Sequence, residues 1–227
     1  MIICERDSSY EQVFSFDSWP DISEIPNGAV EVQFRLIYQG ELPASGQGRT
    51  RAREKHQIRK ALHKQLKELW ATNTFLNIYF KNQEYLKNVG DKYALCNHRF
   101  VPLISEEFGK FGDSPMGLAC GLDILFLRRD HPPIGLVKEG GDIDNRIKVL
   151  FDALRVPDNC SGIGQPDSDE DPFFCLLQND NLITEVKVAS DKLLTPLDPG
   201  ANPTDVHLII QVRTLVIGAS GFTAFIT

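Results

Sequence analysis

The stretch 141–155, G-D-I-D-N-R-I-K-V-L-F-D-A-L-R, decides the fold prediction for this chain. Its apolar residues recur at i, i+3, i+4 and i+7 (Ile147, Leu150, Phe151 and Leu154), which is one face of an α-helix. Asp144 stands before this run, so we expect it to be the N-cap, where a carboxylate accepts backbone N–H groups and faces the positive end of the helix dipole. The pattern predicts a helix packed against a core, with acidic side chains at its N-terminus.

Charged residues follow one another along another face of the same helix. Asp144, Lys148 and Asp152 occur at i, i+4 and i+8, and Asp142 stands just upstream. Carboxylates are hard oxygen ligands of the kind that bind Mg²⁺, and a lysine beside them could contact a phosphate. A surface ladder of ion pairs, each worth roughly 0.2–0.5 kcal/mol, explains the same spacing. From this segment alone the two interpretations stay open.

The bulk composition is that of a globular protein. The chain has 227 residues, of which 42% are hydrophobic and 24% charged. It contains no run of the roughly 18 apolar residues that a membrane span requires. The N-terminus, M-I-I-C-E-R-D, carries acids where a signal peptide carries basic residues. We therefore expect a protein of the cytoplasm that does not enter a membrane.

The five cysteines are scattered and form no C-x-x-C pair. In a reducing compartment they are expected to be thiols. Cys96 and His98 are close in sequence, but no second ligand pair with suitable spacing accompanies them, so we do not predict a metal site there.

Basic residues are concentrated in one segment of an acidic chain. The net charge is −7, yet between positions 49 and 67 eight basic residues stand against one acid, Glu54. Such clustering predicts a local anion-binding surface, although a solvated helix face would show the same pattern. The eight candidate phosphate-binding residues are Arg49, Arg51, Arg53, Lys55, Arg59, Lys60, Lys64 and Lys67.

Periodicity elsewhere predicts an α+β fold, a mixed β-sheet with helices packed on it. We expect one domain over 29–217 with a poorly patterned insert at 71–115, an N-terminal extension at 1–28 and a tail at 218–227. Within the insert, 75–80 and 93–104 show apolar alternation. The predicted elements are strands at 30–38, 118–127, 182–189 and 206–217, a helix at 52–70 with Ile58, Leu62, Leu66 and Leu69 buried, and a loop at 155–174.

The helix segment resembles the signature of the RusA-type Holliday-junction resolvases, D-[LIV]-D-N-x-x-K-x-x-x-D-A-L. In that family an acidic pair also opens the next strand, where this chain has Asn179 and Asp180. The resemblance covers about 130 residues. This chain differs from the family pattern in three respects: Asn179 stands in place of an acid, the loop before Asp180 is longer, and the overall charge is acidic. The matching residues of the signature are Asp142, Asp144, Asn145, Lys148, Asp152, Ala153 and Leu154.

The resemblance implies a Mg²⁺-dependent endodeoxyribonuclease that resolves four-way junctions or related branched DNA, with Mn²⁺ as a possible substitute. Asp142, Asp144 and Asp180 are the expected metal ligands, and Lys148 is expected beside the scissile phosphate. Asn145, Asp152 and Asn179 are expected to orient these groups. Two symmetric nicks require a two-fold axis, so the resemblance also implies a homodimer.

Two alternatives stay open for the function. Asn179 and the acidic charge suit a weak or inactive branched-DNA-binding protein on the same scaffold. D-x-D also occurs in nucleotide-sugar transferases, but there it closes a strand in a βαβ series that this sequence lacks. The other D-x-D run, D-S-D-E-D at 167–171, has Pro172 where a calcium loop needs glycine, so we interpret it as a solvated acidic loop.

Overall fold

The computed structural model describes residues 32–43, 51–105, 117–128, 143–194 and 205–217. The predictions for 1–28, 218–227, Asp142 and Arg49 fall outside these residues. The described chain contains four α-helices and two mixed sheets, which confirms the α+β class. In chain order its elements are β1 (Gln33–Glu41), α1 (Ala52–Thr72), α2 (Thr74–Lys81), α3 (Gln83–Lys92), β2 (Ala94–Leu95), β3 (His98–Ile104), β4 (Gly117–Arg128), α4 (Ile143–Leu154), β5 (Phe173–Leu177), a short 3-10 helix (Asp180–Leu182), β6 (Ile183–Lys192) and β7 (Asp205–Ile217).

The larger sheet has the strand order β1-β7-β4-β6. β7 pairs antiparallel with both β1 and β4, whereas β6 runs parallel to β4. Alternation of apolar and polar residues gives the sheet one buried face, on which Leu36, Leu122, Ile124, Leu208 and Ile210 are at most 1% exposed. The four strands lie close to the predicted ranges, because the alternation in β1 and the apolar run in β4 are both patterns that strands produce.

Helices α1 and α4 cover the buried face. On α1 the expected residues Ile58, Leu62 and Leu66 are buried, with Leu69 partly buried. α4 contributes Leu150 and Leu154 to the same core. α1 packs on β1, β5 and α4, so it lies at the centre of the helical layer. Within the described residues, none of the helices is long and apolar enough to span a membrane.

The insert shares this core. Two asparagines divide its helices, since the Asn73 side chain accepts the backbone N–H groups of Phe75 and Leu76, and Asn82 accepts that of Tyr85. The apolar alternation at 75–80 therefore belongs to helix α2, not to a strand. Leu76 and Leu86 join the main core.

A second sheet, of order β2-β3-β5, was not predicted. The segment 93–104 forms β2 and β3, a hairpin turning through Cys96 and Asn97 in the left-handed conformation. β5 lies parallel to β3 and ends the predicted loop 155–174 early. Its five residues, F-F-C-L-L, are all buried, so they show no alternation from which a strand could be predicted.

A disulfide joins Cys96 of the hairpin turn to Cys160 in the loop after α4, with 5.6 Å between their Cα atoms. The expectation of thiols is therefore wrong for these two cysteines, while Cys120 and Cys175 are free and buried. The two cysteines are 64 residues apart, so the sequence did not predict that they lie close together. The bond also leaves Cys96 unavailable as a metal ligand beside His98.

Reduction of this disulfide should destabilise the fold. Closing a loop of 64 residues lowers the entropy of the unfolded chain by an amount worth about 4 kcal/mol. We expect the double variant Cys96→Ser/Cys160→Ser to lose stability on this scale in urea unfolding, and dithiothreitol to lower the wild type to the same level. Dithiothreitol should leave the double variant unchanged, and equal stability of oxidised and reduced wild type would refute a structural role.

Candidate functional site

The first turn of α4 presents the residues of the D-x-D signature. The helix begins at Ile143, so Asp144 is its second residue, and the prediction that Asp144 is the N-cap is wrong by two positions. The Asp144 carboxylate and the Lys148 ammonium group are 2.6 Å apart, and both side chains are more than 60% exposed. The opposite face buries Ile147 and Leu150, which fixes this exposed pair toward solvent. A negatively charged side chain is favourable in the first turn of a helix, and the exposed oxygens of its carboxylate are of the kind that bind divalent cations.

Asp180 stands at the start of the short 3-10 helix that leads into β6. Asn179 caps this helix, because its side-chain oxygen accepts the backbone N–H of Asn181 at 3.0 Å. Leu182 and Ile183 pack on the main core and hold the turn in place. The turn lies against α4 and against β4, while Asp180 itself is exposed. Asn179 thus has a local structural role that the sequence prediction did not assign to it.

These residues supply oxygen donors that fit Mg²⁺. Asp144 and Asp180 come from elements that contact each other, and Asp142, which precedes α4, lies outside the described residues. Within the described part of the chain, no group of three or more His, Cys, Asp or Glu side chains is arranged to hold a metal ion. The predicted Mg²⁺ site would depend on Asp142 for its third carboxylate, and a set of three aspartates would have the hard oxygen ligands that Mg²⁺ favours.

Asp152, one of the residues expected to orient the site, binds groups outside it. The Asp152 carboxylate lies 2.6 Å from the Lys55 ammonium group and 3.2 Å from the Arg155 guanidinium, so it joins α4 to α1. Asn145 is half-buried in the first turn of α4. Arg146 donates to the carbonyl of Leu42 at 2.7 Å and ties this turn to the end of β1.

Several basic side chains of helix α1 bind other parts of the protein instead of facing solvent. Arg59 is 4% exposed, and its guanidinium donates to the carbonyls of Asp152 and Arg155, at 2.7 and 3.1 Å. Asp152 lies in the last turn of α4 and Arg155 directly follows the helix, so neither carbonyl has a partner within α4. Burial lowers the pKa of the Arg59 guanidinium from its ordinary value. Arg59 is therefore placed to cap α4 and not to contact a phosphate.

Two further lysines of α1 bind the acidic segment 167–171. Lys60 lies 2.9 Å from carboxylate oxygens of both Asp167 and Glu170, and Lys67 donates to the carbonyl of Asp169 at 2.8 Å. Glu170 is 3% exposed. The interpretation of D-S-D-E-D as a solvated loop is therefore wrong for Glu170.

The same loop is held close to α1 at another point. Gly162 has φ +72° and lies so near the start of the helix that an added Cβ would come within 2.5 Å of the Arg53 backbone nitrogen. Arg99 also binds Asp171, with its Nε 2.7 Å from Oδ1. The long loop before Asp180 is thus packed onto the body of the protein.

Exposed cations remain on α1 at Arg53 and Lys64. They are eleven residues apart, which brings them onto nearly the same side of the helix. Arg51 pairs with Glu54 at 3.2 Å. Of the predicted phosphate-binding set, Arg53 and Lys64 are therefore the ones that the described structure leaves most accessible to a polyanion.

Three buried histidines lie beneath the loop, in a polar cluster that sequence reasoning missed. His63 accepts the backbone N–H of Phe174 through Nδ1 at 2.8 Å and bonds the Asp169 carbonyl through Nε2. His98 Nε2 lies 3.6 Å from Glu170. His56 is 5% exposed, and neither of its ring nitrogens has a hydrogen bond to the described residues. Helical spacing on α1 was the one available signal, since His56, Arg59 and His63 follow at i, i+3 and i+7.

Comparisons with family models, with curated proteins and with solved structures gave no match.

The buried imidazole of His56 should make the fold sensitive to acid. Burial, helped by the positive charges of Arg59 and Lys60, lowers the pKa of His56 from 6.5 to about 4. The unfolded chain then binds a proton between pH 6.5 and 4 that the folded chain does not, so stability falls as the pH falls through this window, by about 3 kcal/mol in all.

The test is urea unfolding of the wild type and His56→Leu between pH 7.5 and 4. We expect the variant to match or exceed the wild-type stability at pH 7.5 and to lose about 3 kcal/mol less by pH 4. An identical loss in both proteins would show that His56 is not held neutral by burial.

Proposed function

We propose that this protein is a Mg²⁺-dependent, structure-selective endodeoxyribonuclease of the RusA-like type, which cuts four-way junctions or related branched DNA by phosphodiester hydrolysis. The proposal is carried by one observation. The signature residues Asp144 and Lys148 form an exposed pair at the mouth of α4, and the turn bearing Asp180 packs against the same helix. We also propose that it acts as a homodimer in the cytoplasm, where its disulfide would have to withstand cellular thiols.

Each proposed site residue has a separate role in the hydrolysis. Asp142, Asp144 and Asp180 would hold Mg²⁺, which when bound supplies an activated water and charge neutralisation at the phosphate. Lys148 has a flexible stem and lies one helical turn behind Asp144, so it can leave that carboxylate and neutralise charge on the phosphate as the bond to the leaving oxygen breaks. Asn179 adds no charge to the site but fixes the backbone of the turn that carries Asp180.

The alternative of a binding protein without nuclease activity is favoured by one feature. Where the enzymes whose signature this segment resembles have two acids, this chain has one, and the amide of Asn179 is engaged in capping the 3-10 helix. A metal site with one carboxylate fewer binds its cation more weakly. The cleavage experiment below separates the two functions.

We expect the purified protein to cut an immobile four-way junction in Mg²⁺, and Asp144→Asn to cut it at least about 100-fold more slowly, because the variant loses a charged metal ligand. Asp123→Asn is the matched control, since Asp123 is an exposed aspartate of β4 that has no proposed role. It should cut at the wild-type rate.

Junction binding, measured by gel shift in Ca²⁺, should be equal in all three proteins. Binding without incision by the wild type would favour the inactive alternative. Equal cleavage by wild type and Asp144→Asn would remove these carboxylates from the mechanism.

The accessible cations of α1 should account for part of the DNA affinity. We expect Arg53→Glu/Lys64→Glu to weaken junction binding at least about tenfold and to reduce the slope of log affinity against log salt by about 2, because two phosphate contacts are lost. Lys81→Glu/Lys87→Glu makes the same charge change on α2 and α3 and is the matched control. If both double variants bind alike, α1 does not contact the DNA.

A further inference from the structure

The two outer strands of the larger sheet differ in how their edges are covered. On β1, the Gln65 side chain of α1 accepts the backbone N–H of Ile37 at 2.9 Å and donates to its carbonyl at 2.7 Å. β6 lies at the other edge, and among the described strands it pairs with β4 alone. Within the described ranges the outer edge of this ten-residue strand has no partner, and an edge of this kind is a template for another strand.

Apolar side chains of β6 extend the buried face of the sheet beyond the helices. Val186 pairs with Leu122 and Val188 with Ile124, so the valines lie on the same face as these two residues. Leu122 and Ile124 are fully buried, whereas Val186 and Val188 are 42% and 41% exposed. The core therefore ends at this edge with two half-covered valines.

The charges of β6 determine which strand would fit. Glu185 and Lys187 flank Val186 and lie on the opposite face of the sheet, 3.3 Å from each other. In an antiparallel pair of two β6 strands centred on Val186, Glu185 of each copy faces Lys187 of the other. Registers centred on Glu185 or Lys187 would instead place like charges opposite each other, which is unfavourable.

We propose that two copies of this chain pair through β6, antiparallel and centred on Val186, so that their four-stranded sheets form one continuous sheet of eight strands. The backbone groups of the open edge are then hydrogen-bonded, and the two Val186 side chains meet on the two-fold axis. Two equivalent Glu185–Lys187 pairs select this register. An interface of this kind is isologous, as a closed dimer requires.

The pairing rests on β6 alone, and only its meaning for DNA cleavage rests on the proposed function. Asp180 precedes Val186 by six residues, three of them in the 3-10 helix. From the rise of each element this is about 15 Å from the axis, so the two Asp180 residues would be about 30 Å apart. Two sites related by this axis could nick a branched substrate symmetrically.

Cysteine cross-linking tests the register in the full-length protein, without metal or DNA and in a Cys4→Ser background. Opposed residues of an antiparallel pair have Cα atoms about 4.5–5.5 Å apart, within reach of a disulfide. We expect Val186→Cys to form a covalent dimer under mild oxidation. Val188→Cys is the matched control, because its two copies would lie about 13 Å apart and stay uncoupled.

Charge variants test the same interface without relying on either cysteine variant. Lys187→Glu and Glu185→Lys should each dimerise at least about tenfold more weakly than the wild type by analytical ultracentrifugation, because like charges then face each other. Mixed in equal amounts they should form a heterodimer, since opposite charges face each other again.

A monomeric wild type, a Val186→Cys chain that cross-links no faster than Val188→Cys, or charge variants that dimerise like the wild type would each overturn the proposal. Dimerisation by this route together with an absence of cleavage would refute the nuclease proposal and leave the interface standing.

Discussion

The structure depends on a buried guanidinium. Arg59 of α1 donates to two carbonyls at the end of α4 and so joins the two helices that cover the sheet. Lys55 reinforces the contact through the Asp152 carboxylate. A buried cation of this kind is tolerated only while its acceptors stay in place, so the end of α4 and the start of α1 must fold together. The exposed pair of Asp144 and Lys148 at the other end of α4 is presented from this fixed helix.

The sequence predicted the positions of helices and strands far better than it predicted which of them pack or pair together. The amphipathic period of α4 and the alternation in β1 follow from burial on one side, and the long apolar run of β4 is typical of a buried strand. β5 was missed because it is short and buried on both faces, and α2 was not predicted because a short apolar run such as 75–80 fits a helix and a strand equally well. Local patterning thus predicts one-sided burial and long apolar strands, and it fails where a fully buried strand is as short as β5.

In the candidate site, too, local features were predicted and long-range contacts were not. A contiguous signature predicted the helix with Asp144 and Lys148, and the structure places this pair in contact. The basic run also fell on a helix, as predicted, but its partners are remote in sequence: Lys60 meets Asp167 and Arg59 meets Asp152. A cluster of positive charge therefore predicted a cation-rich helix correctly, while the choice between phosphate binding and internal pairing depended on long-range packing. Arg53 and Lys64 remain as the exposed fraction of that charge.

The most direct test of this account is the unfolding free energy of Arg59→Met beside that of Arg53→Met. Both variants remove one guanidinium from α1 and keep an unbranched side chain. We expect Arg59→Met to lose about 3 kcal/mol, because the carbonyls that end α4 are left without their buried donor. Arg53→Met, on the exposed side, should change stability by less than about 0.5 kcal/mol. Equal stability of the two variants would show that Arg59 does not hold α4 in place and would contradict the account.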